Sequence, residues 1–191
     1  MERKILAYLK KELTGERYAH VLGVMGLAEK LALRHGLDAE KARLAGALHD
    51  VARCWSDDKL KLYAKSRRLR VPDIAFVLKH QPILLHSYVG ADIARRKFKI
   101  RDREILSAVA KHSLGSVQMT NFEMCVYMAD LLAPDRDFYG AESLRKMVFN
   151  DLRAAFREGI AVKIRYVLKL GEPLHPEVLR IWNHETSVSH Q

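Results

Sequence analysis

Apolar residues recur at spacings of three and four along almost the whole chain, and this period limits what the chain can fold into more than any single motif does. "ERKILAYLKKEL" and the longer "ERYAHVLGVMGLAEKLALRHG" each gather their apolar side chains on one helical stripe, the second closing on Gly36 as a C-terminal cap. Asp38 caps the next helix, "AEKARLAGALHDVAR". The same period predicts helices over about 57–68, 87–98, 102–113, 121–132, 141–149, 151–170 and 176–184. Pro72, Pro82, Pro134, Pro173 and Pro176 fall at joints or first turns, where a missing N–H does least harm. "LGSVQMTN" and "PDRDFYG" supply turn residues on either side of the 121–132 helix, and there is no internal repeat or flexible linker. No stretch alternates apolar and polar residues as a half-buried strand does. The expectation is therefore an all-α bundle. At 191 residues the chain can bury one substantial core and is short for two, so residues 1–191 are read as a single domain.

With 49% hydrophobic and 29% charged residues, the composition is that of a globular chain and not a disordered one. The first apolar run, "ILAYL", is too short for the core of a signal peptide, and nowhere do 18 apolar residues run together. A cytoplasmic protein without membrane contact is expected. Cys54 and Cys125 form no C-x-x-C pair and sit in apolar company, which favours two reduced thiols. Lys and Arg outnumber Asp and Glu 33 to 23, for a net charge of +10. The cations bunch in "KLKLYAKSRRLR" (59–70) and "RRKFKIRDR" (95–103). Such a field draws anions, either nucleic acid or a polyphosphate substrate, and the runs lack the aromatic interleaving of a single-strand binder. Solvated helix faces are the plainer alternative.

The residues that resist this account are polar ones inside apolar helices. Asp130 is the only charge in "MCVYMADLLA", and an unpaired buried carboxylate costs several kcal/mol. His20 shares a helix face with Val24, Leu27 and Leu31. Taken singly, such a histidine is usually a satisfied core residue and such an aspartate a cap. The chain, however, offers His20, His49, Asp50, His86, His112 and Asp130 in succession, each in or beside an apolar run. Imidazole mixed with carboxylate suits iron, manganese, zinc or cobalt better than magnesium or calcium, and six such groups could hold two ions. Adjacent helical residues point about 100° apart, yet His49 and Asp50 can both reach one groove, and the two oxygens of Asp50 could bridge two metals.

The order H…HD…H…H…D resembles the HD-domain metal-dependent phosphohydrolases. "RYAHVLGV", "AGALHDVAR", "LLHSYVGADIA", "KHSLGSVQMTNFEMCVYMADLLAPDRDF" and "GEPLHP" are similar to stretches of one branch, the YqeK-type symmetrical bis(5'-nucleosyl)-tetraphosphatases. The likeness runs from about Arg17 to Pro176, leaving a short N-terminal helix and a mobile C-terminal tail outside this core. It implies an HD-type helical bundle around a two-metal site, with iron first among the candidate metals. It also implies cleavage of diadenosine tetraphosphate into two ADP by a metal-bridged hydroxide. Carried onto this chain, the resemblance gives His20, His49, Asp50 and Asp130 to one ion and Asp50, His86 and His112 to the other. Asp50, Arg53 and Arg136 become the candidate catalytic residues, with the two arginines on phosphate. Arg53 stands where the family commonly has lysine, keeping the charge and adding a bidentate fork. Ser113 and Leu114 replace two threonines, and Leu114 removes a hydroxyl. A homodimer is compatible with all of this.

Other residues compete for these roles. His80 lies in the polar "KHQP" joint, so His86 is the better ligand. His35 sits at a helix C-terminus, where the dipole favours it structurally. His184 and His190 belong to the unpatterned tail "HETSVSHQ", and His175 has no assigned role. Arg136 could instead pair with Asp135 or Asp137. Two rival functions stay open: an HD-type phosphohydrolase or nucleotidase acting on mononucleotides, and a basic nucleic-acid-binding helical protein.

Overall fold

In the computed structural model, which describes residues 1–188, eleven α-helices and one 3-10 turn account for all regular structure among the described residues. They are α1 (Glu2–Glu12), α2 (Gly15–Arg34), α3 (Ala39–Leu48), α4 (Asp57–Ser66), α5 (Ile74–His80), α6 (Leu85–Arg96), α7 (Arg103–Lys111), α8 (Asn121–Leu131), α9 (Ala141–Val148), α10 (Leu152–Lys169) and α11 (Pro176–Val188). The 3-10 turn, Pro82–Leu84, leads into α6. As the sequence pattern predicts, the fold is all-α.

Local chemistry explains most helix ends. Asp38 accepts from Lys41 N–H at the start of α3, and at the end of α2 Gly36 takes φ +67° while Leu37 N–H bonds back to Ala32 O at 2.8 Å. Thr120 and Glu123 form a capping box that fixes the start of α8. From Phe122 to Ala129 every residue of α8 is buried, which makes it the central rod of the bundle. α2 packs along α3 and α8, while α7 and α10 also lie on α8, and one continuous hydrophobic core joins them. The α2–α3 crossing is close because residue 46 is glycine: a Cβ there would lie 3.1 Å from Met25 Cα.

Four sequence expectations change. The helix over "AEKARLAGALHDVAR" ends at Leu48, and beyond it the backbone bonds span three residues, Val51 N–H to Leu48 O and Arg53 N–H to Asp50 O. His49 contributes to this change of course by donating its Nδ1–H to Gly46 O, 2.7 Å away. α5 was not predicted; its seven residues are too few for a helical period to register between Pro72 and Pro82. The tail, unpatterned in sequence, is helical through Val188, where buried Glu185 is gripped by Arg153 at 3.0 and 3.1 Å, while His190 lies outside the described residues. Both cysteines are free, but only Cys125 is buried; Cys54 is exposed on the turn after α3.

Candidate metal centre

Five stretches of chain converge on one buried point: the first half of α2, the turn after α3, the start of α6, the end of α7 and the end of α8. They bring together His20, His49, Asp50, His86, His112 and Asp130, the six residues that the sequence singles out. Ligand-type atoms of His20, His49 and Asp50, of His49, His112 and Asp130, and of Asp50, His86 and His112 each fall within 4.8 Å of one another. All four histidines and Asp50 are at most 5% exposed. The competing histidines lie elsewhere. His80 ends α5 against Phe76, His35 bonds Val148 O, and His175 caps α11 through Glu177 N–H.

Each imidazole is oriented from behind. His49, His86 and His112 use Nδ1 to bond the carbonyl three residues earlier, Gly46 O, Ile83 O and Val109 O, at 2.6–2.7 Å. His20 Nδ1 lies 2.9 Å from both carboxylate oxygens of Asp135. These acceptors take the Nδ1 proton and turn every Nε2 toward the centre. There several of them lack ordinary partners. His86 Nε2 and His112 Nε2 are 3.0 Å apart, and the buried His49 Nε2 has no hydrogen-bond partner. Nitrogens that face one another, beside carboxylates and away from water, fit a cation between them and are otherwise costly.

Asp50 links the two halves of the cluster. Its Oδ1 faces His86 Nε2 at 3.2 Å and His112 Nε2 at 3.8 Å, while Oδ2 faces His49 Nε2 at 3.3 Å and His20 Nε2 at 4.0 Å. Asp130 Oδ1 lies 3.0 Å from His20 Nε2. Burial alone would raise the Asp50 carboxyl, but the His49 and His86 rings outweigh it and hold the group well below the usual carboxylate range. For Asp130, too, burial is outweighed, here by His20, His49 and His112, and its carboxyl is held low. Burial pulls the His49 ring down while Asp50 and Asp130 carry it up to about 9. His112 is pushed down to about 3 by burial and by the His49 and His86 rings. Two carboxylates therefore stay ionised inside the protein, the condition under which they bind cations.

Among the expected phosphate-binding residues, Arg136 lies at this centre. Its Nη2 reaches Asp130 Oδ1 at 3.0 Å, so its ion-pair partner is Asp130 and not the neighbouring Asp135 or Asp137. Arg53 is partly exposed, with its backbone N–H on Asp50 O. Sequence reasoning passed over Arg17, whose Nη1 lies 3.1 Å from Asp50 Oδ2; its signal was its place three residues before His20, on the same helical face. It also missed Asp135 as a support for His20. The loop carrying Asp135 lies tight on α2, because a Cβ at Gly23 would come within 3.0 Å of Pro134 Cδ. A third omission, Lys163 on α10, donates to Ser113 O beside His112.

Compared with known proteins, residues 17–135 match the HD domain family. The chain belongs to the HD-domain family. The adjacent His49 and Asp50 lie within the matched residues, and the match ends at Asp135, the residue behind His20. The chain is 35% identical to the symmetrical bis(5'-nucleosyl)-tetraphosphatase of Bacillus subtilis (strain 168), across 93% of this chain and 94% of the relative. A protein of the same name from Halalkalibacterium halodurans is 33% identical, over 94% of each chain. Among solved structures, a predicted HD superfamily hydrolase involved in NAD metabolism from Clostridium acetobutylicum superposes with a TM-score of 0.92. At 31% identity it covers 100% of this chain and 98% of its own. No helix among the described residues is long and apolar enough to cross a membrane.

Proposed function

We propose that this HD-domain protein hydrolyses diadenosine tetraphosphate symmetrically to two ADP, using two transition-metal ions held by His20, His49, Asp50, His86, His112 and Asp130. The observation that carries the two-ion reading is the divided allegiance of Asp50, one oxygen toward His86 and His112 and the other toward His49 and His20. Imidazole and carboxylate donors suit iron, manganese, cobalt or zinc better than magnesium or calcium, and the family resemblance puts iron first. When bound, such ions activate water as a nucleophile at neutral pH and neutralise charge on phosphoryl oxygens. The chain's own residues do the rest. Nδ1 contacts hold the rings in place, Arg17 offsets the charge of Asp50, and Arg136, beside Asp130, is the cation we assign to phosphate, with Arg53 proposed as a second on the strength of the family resemblance alone. The net charge of +10 suits a polyanionic substrate. Free thiols on Cys54 and Cys125 suit the cytoplasm.

Neither rival function gains an observation of its own. A nucleic-acid-binding bundle has no need of six converging ligand groups, and the relatives named above are tetraphosphatases. The test is chromatography of an early time point with diadenosine tetraphosphate: ADP as the sole nucleotide product is expected. Equal ATP and AMP would overturn symmetrical cleavage, and phosphate release from mononucleotides alone would support the nucleotidase. Elemental analysis should find close to two transition ions per chain, and Asp50→Ala should lose more metal than any other single ligand change.

A further inference from the structure

Beside the metal centre lies an open cavity of about 620 Å³, within the range of roughly 300–1,000 Å³ that takes a drug-sized ligand. His112 and Asp130 form its inner edge, so it opens directly off the six-residue cluster. Its far wall is α10 together with the loop before α9, both beyond the residues matched to the HD family, which end at 135.

This wall has the wrong chemistry for mere packing. Lys163, Arg165 and Lys169 line it, joined by Arg136, and among the described residues the only carboxylates at the cavity are Asp137 and the proposed ligand Asp130. Lys163 gives one proton to Ser113 O, the one hydrogen-bond acceptor it has among the described residues, which leaves two donors of its ammonium for a ligand. Burial also pushes this amine down to about 8, against the pull of Asp130, as expected of a cation that lacks an ion-pair partner. Two tyrosines face the same cavity with most of their rings in solvent, Tyr139 fully exposed and Tyr166 61% exposed. Exposed aromatic rings beside cations such as Lys163, Arg165 and Lys169, which have no ion-pair partner among the described residues, are what a nucleotide base and its phosphates bind.

A symmetrical substrate at one metal pair cannot place both halves alike. One ADP half must lie over the ions and the other must extend away from them. Resting on the hydrolase reading above, we propose that the α10 wall seats this second half, with Lys163 on the phosphates beyond the cleaved bond and Tyr139 and Tyr166 stacked on the second base. Preference for dinucleotides over mononucleotides then resides in the last third of the chain and not in its HD segment.

Substrate truncation separates the parts. Adenosine 5'-tetraphosphate has the same four phosphates but lacks the second adenosine. Tyr139→Ala and Tyr166→Ala should each raise KM for diadenosine tetraphosphate about tenfold, within the range for a lost base stack, with kcat and the KM for adenosine 5'-tetraphosphate unchanged. Lys163→Met, which keeps the aliphatic stem, should raise KM for both substrates. Because both tyrosines are largely exposed, their loss leaves the core intact. Tyrosine variants that match wild type, or that weaken both substrates equally, would overturn the second-half seat and leave the hydrolase reading standing. A wild-type protein that does not cleave diadenosine tetraphosphate would overturn both.

Discussion

Four histidines reach the centre, but what stands behind each ring decides how well it can work there. His20 alone is backed by a carboxylate; the others are backed by backbone carbonyls that no substitution can remove. Asp135 is therefore the one support open to mutation. Asp135→Asn keeps the shape, removes the charge and should weaken metal binding 10- to 100-fold, read by chelator competition, with the circular dichroism of the folded chain unchanged. Lys163 offers a separate test through stability. Its pKa falls from the ordinary 10.5 to about 8 in the folded chain, so between those values the unfolded chain binds more protons. Stability should rise with pH through this window, and Lys163→Met should flatten the slope in denaturant titrations. The six residues that converge were legible because a charge or an imidazole inside an apolar period is costly without a purpose. Arg17, Asp135 and Lys163 were not, since each is an ordinary polar residue in sequence and gains its role only from a neighbour brought in from elsewhere in the chain.

At the level of elements, the positions of α2, α3 and α8 matter more than their lengths. Periodicity found these helices, but it ran α3 through the HD pair, because "HDVAR" continues the apolar spacing. The side chain of His49 bonding back to Gly46 is a competing interaction that spacing cannot reveal, and leaving the helix there lets His49 and Asp50 face one centre. Gly46 serves twice, as that acceptor and as the point where α3 meets the backbone of α2. Gly46→Ala should press Cβ onto Met25 and cost about 1–3 kcal/mol in thermal or denaturant unfolding, and it should lower metal affinity by spreading His20 from His49. Thr120→Ala, which removes a cap from α8, should cost about 1 kcal/mol while leaving the spacing of the ligands unchanged.

Over the whole molecule, charge and chain order carry the argument. The net charge of +10 should steer a polyanion, so kcat/KM for diadenosine tetraphosphate should fall as salt rises, more steeply than kcat. The basic runs at 59–70 and 95–103 pointed to an anionic partner, yet the cations that line the cavity come from Arg136 and α10, where no run stands out. The contacts of His20 with Asp130 and Asp135 join positions 110 and 115 residues apart. Bringing such distant segments together costs loop-closure entropy, whereas α2 and α3 are neighbours in the chain and can pair early. Closure of the centre should therefore come after the folding transition state. In stopped-flow experiments on the metal-free chain, Asp135→Asn should change the unfolding arm of the chevron and leave the folding arm in place. Damage to this centre would then shorten the lifetime of the folded chain without slowing its birth.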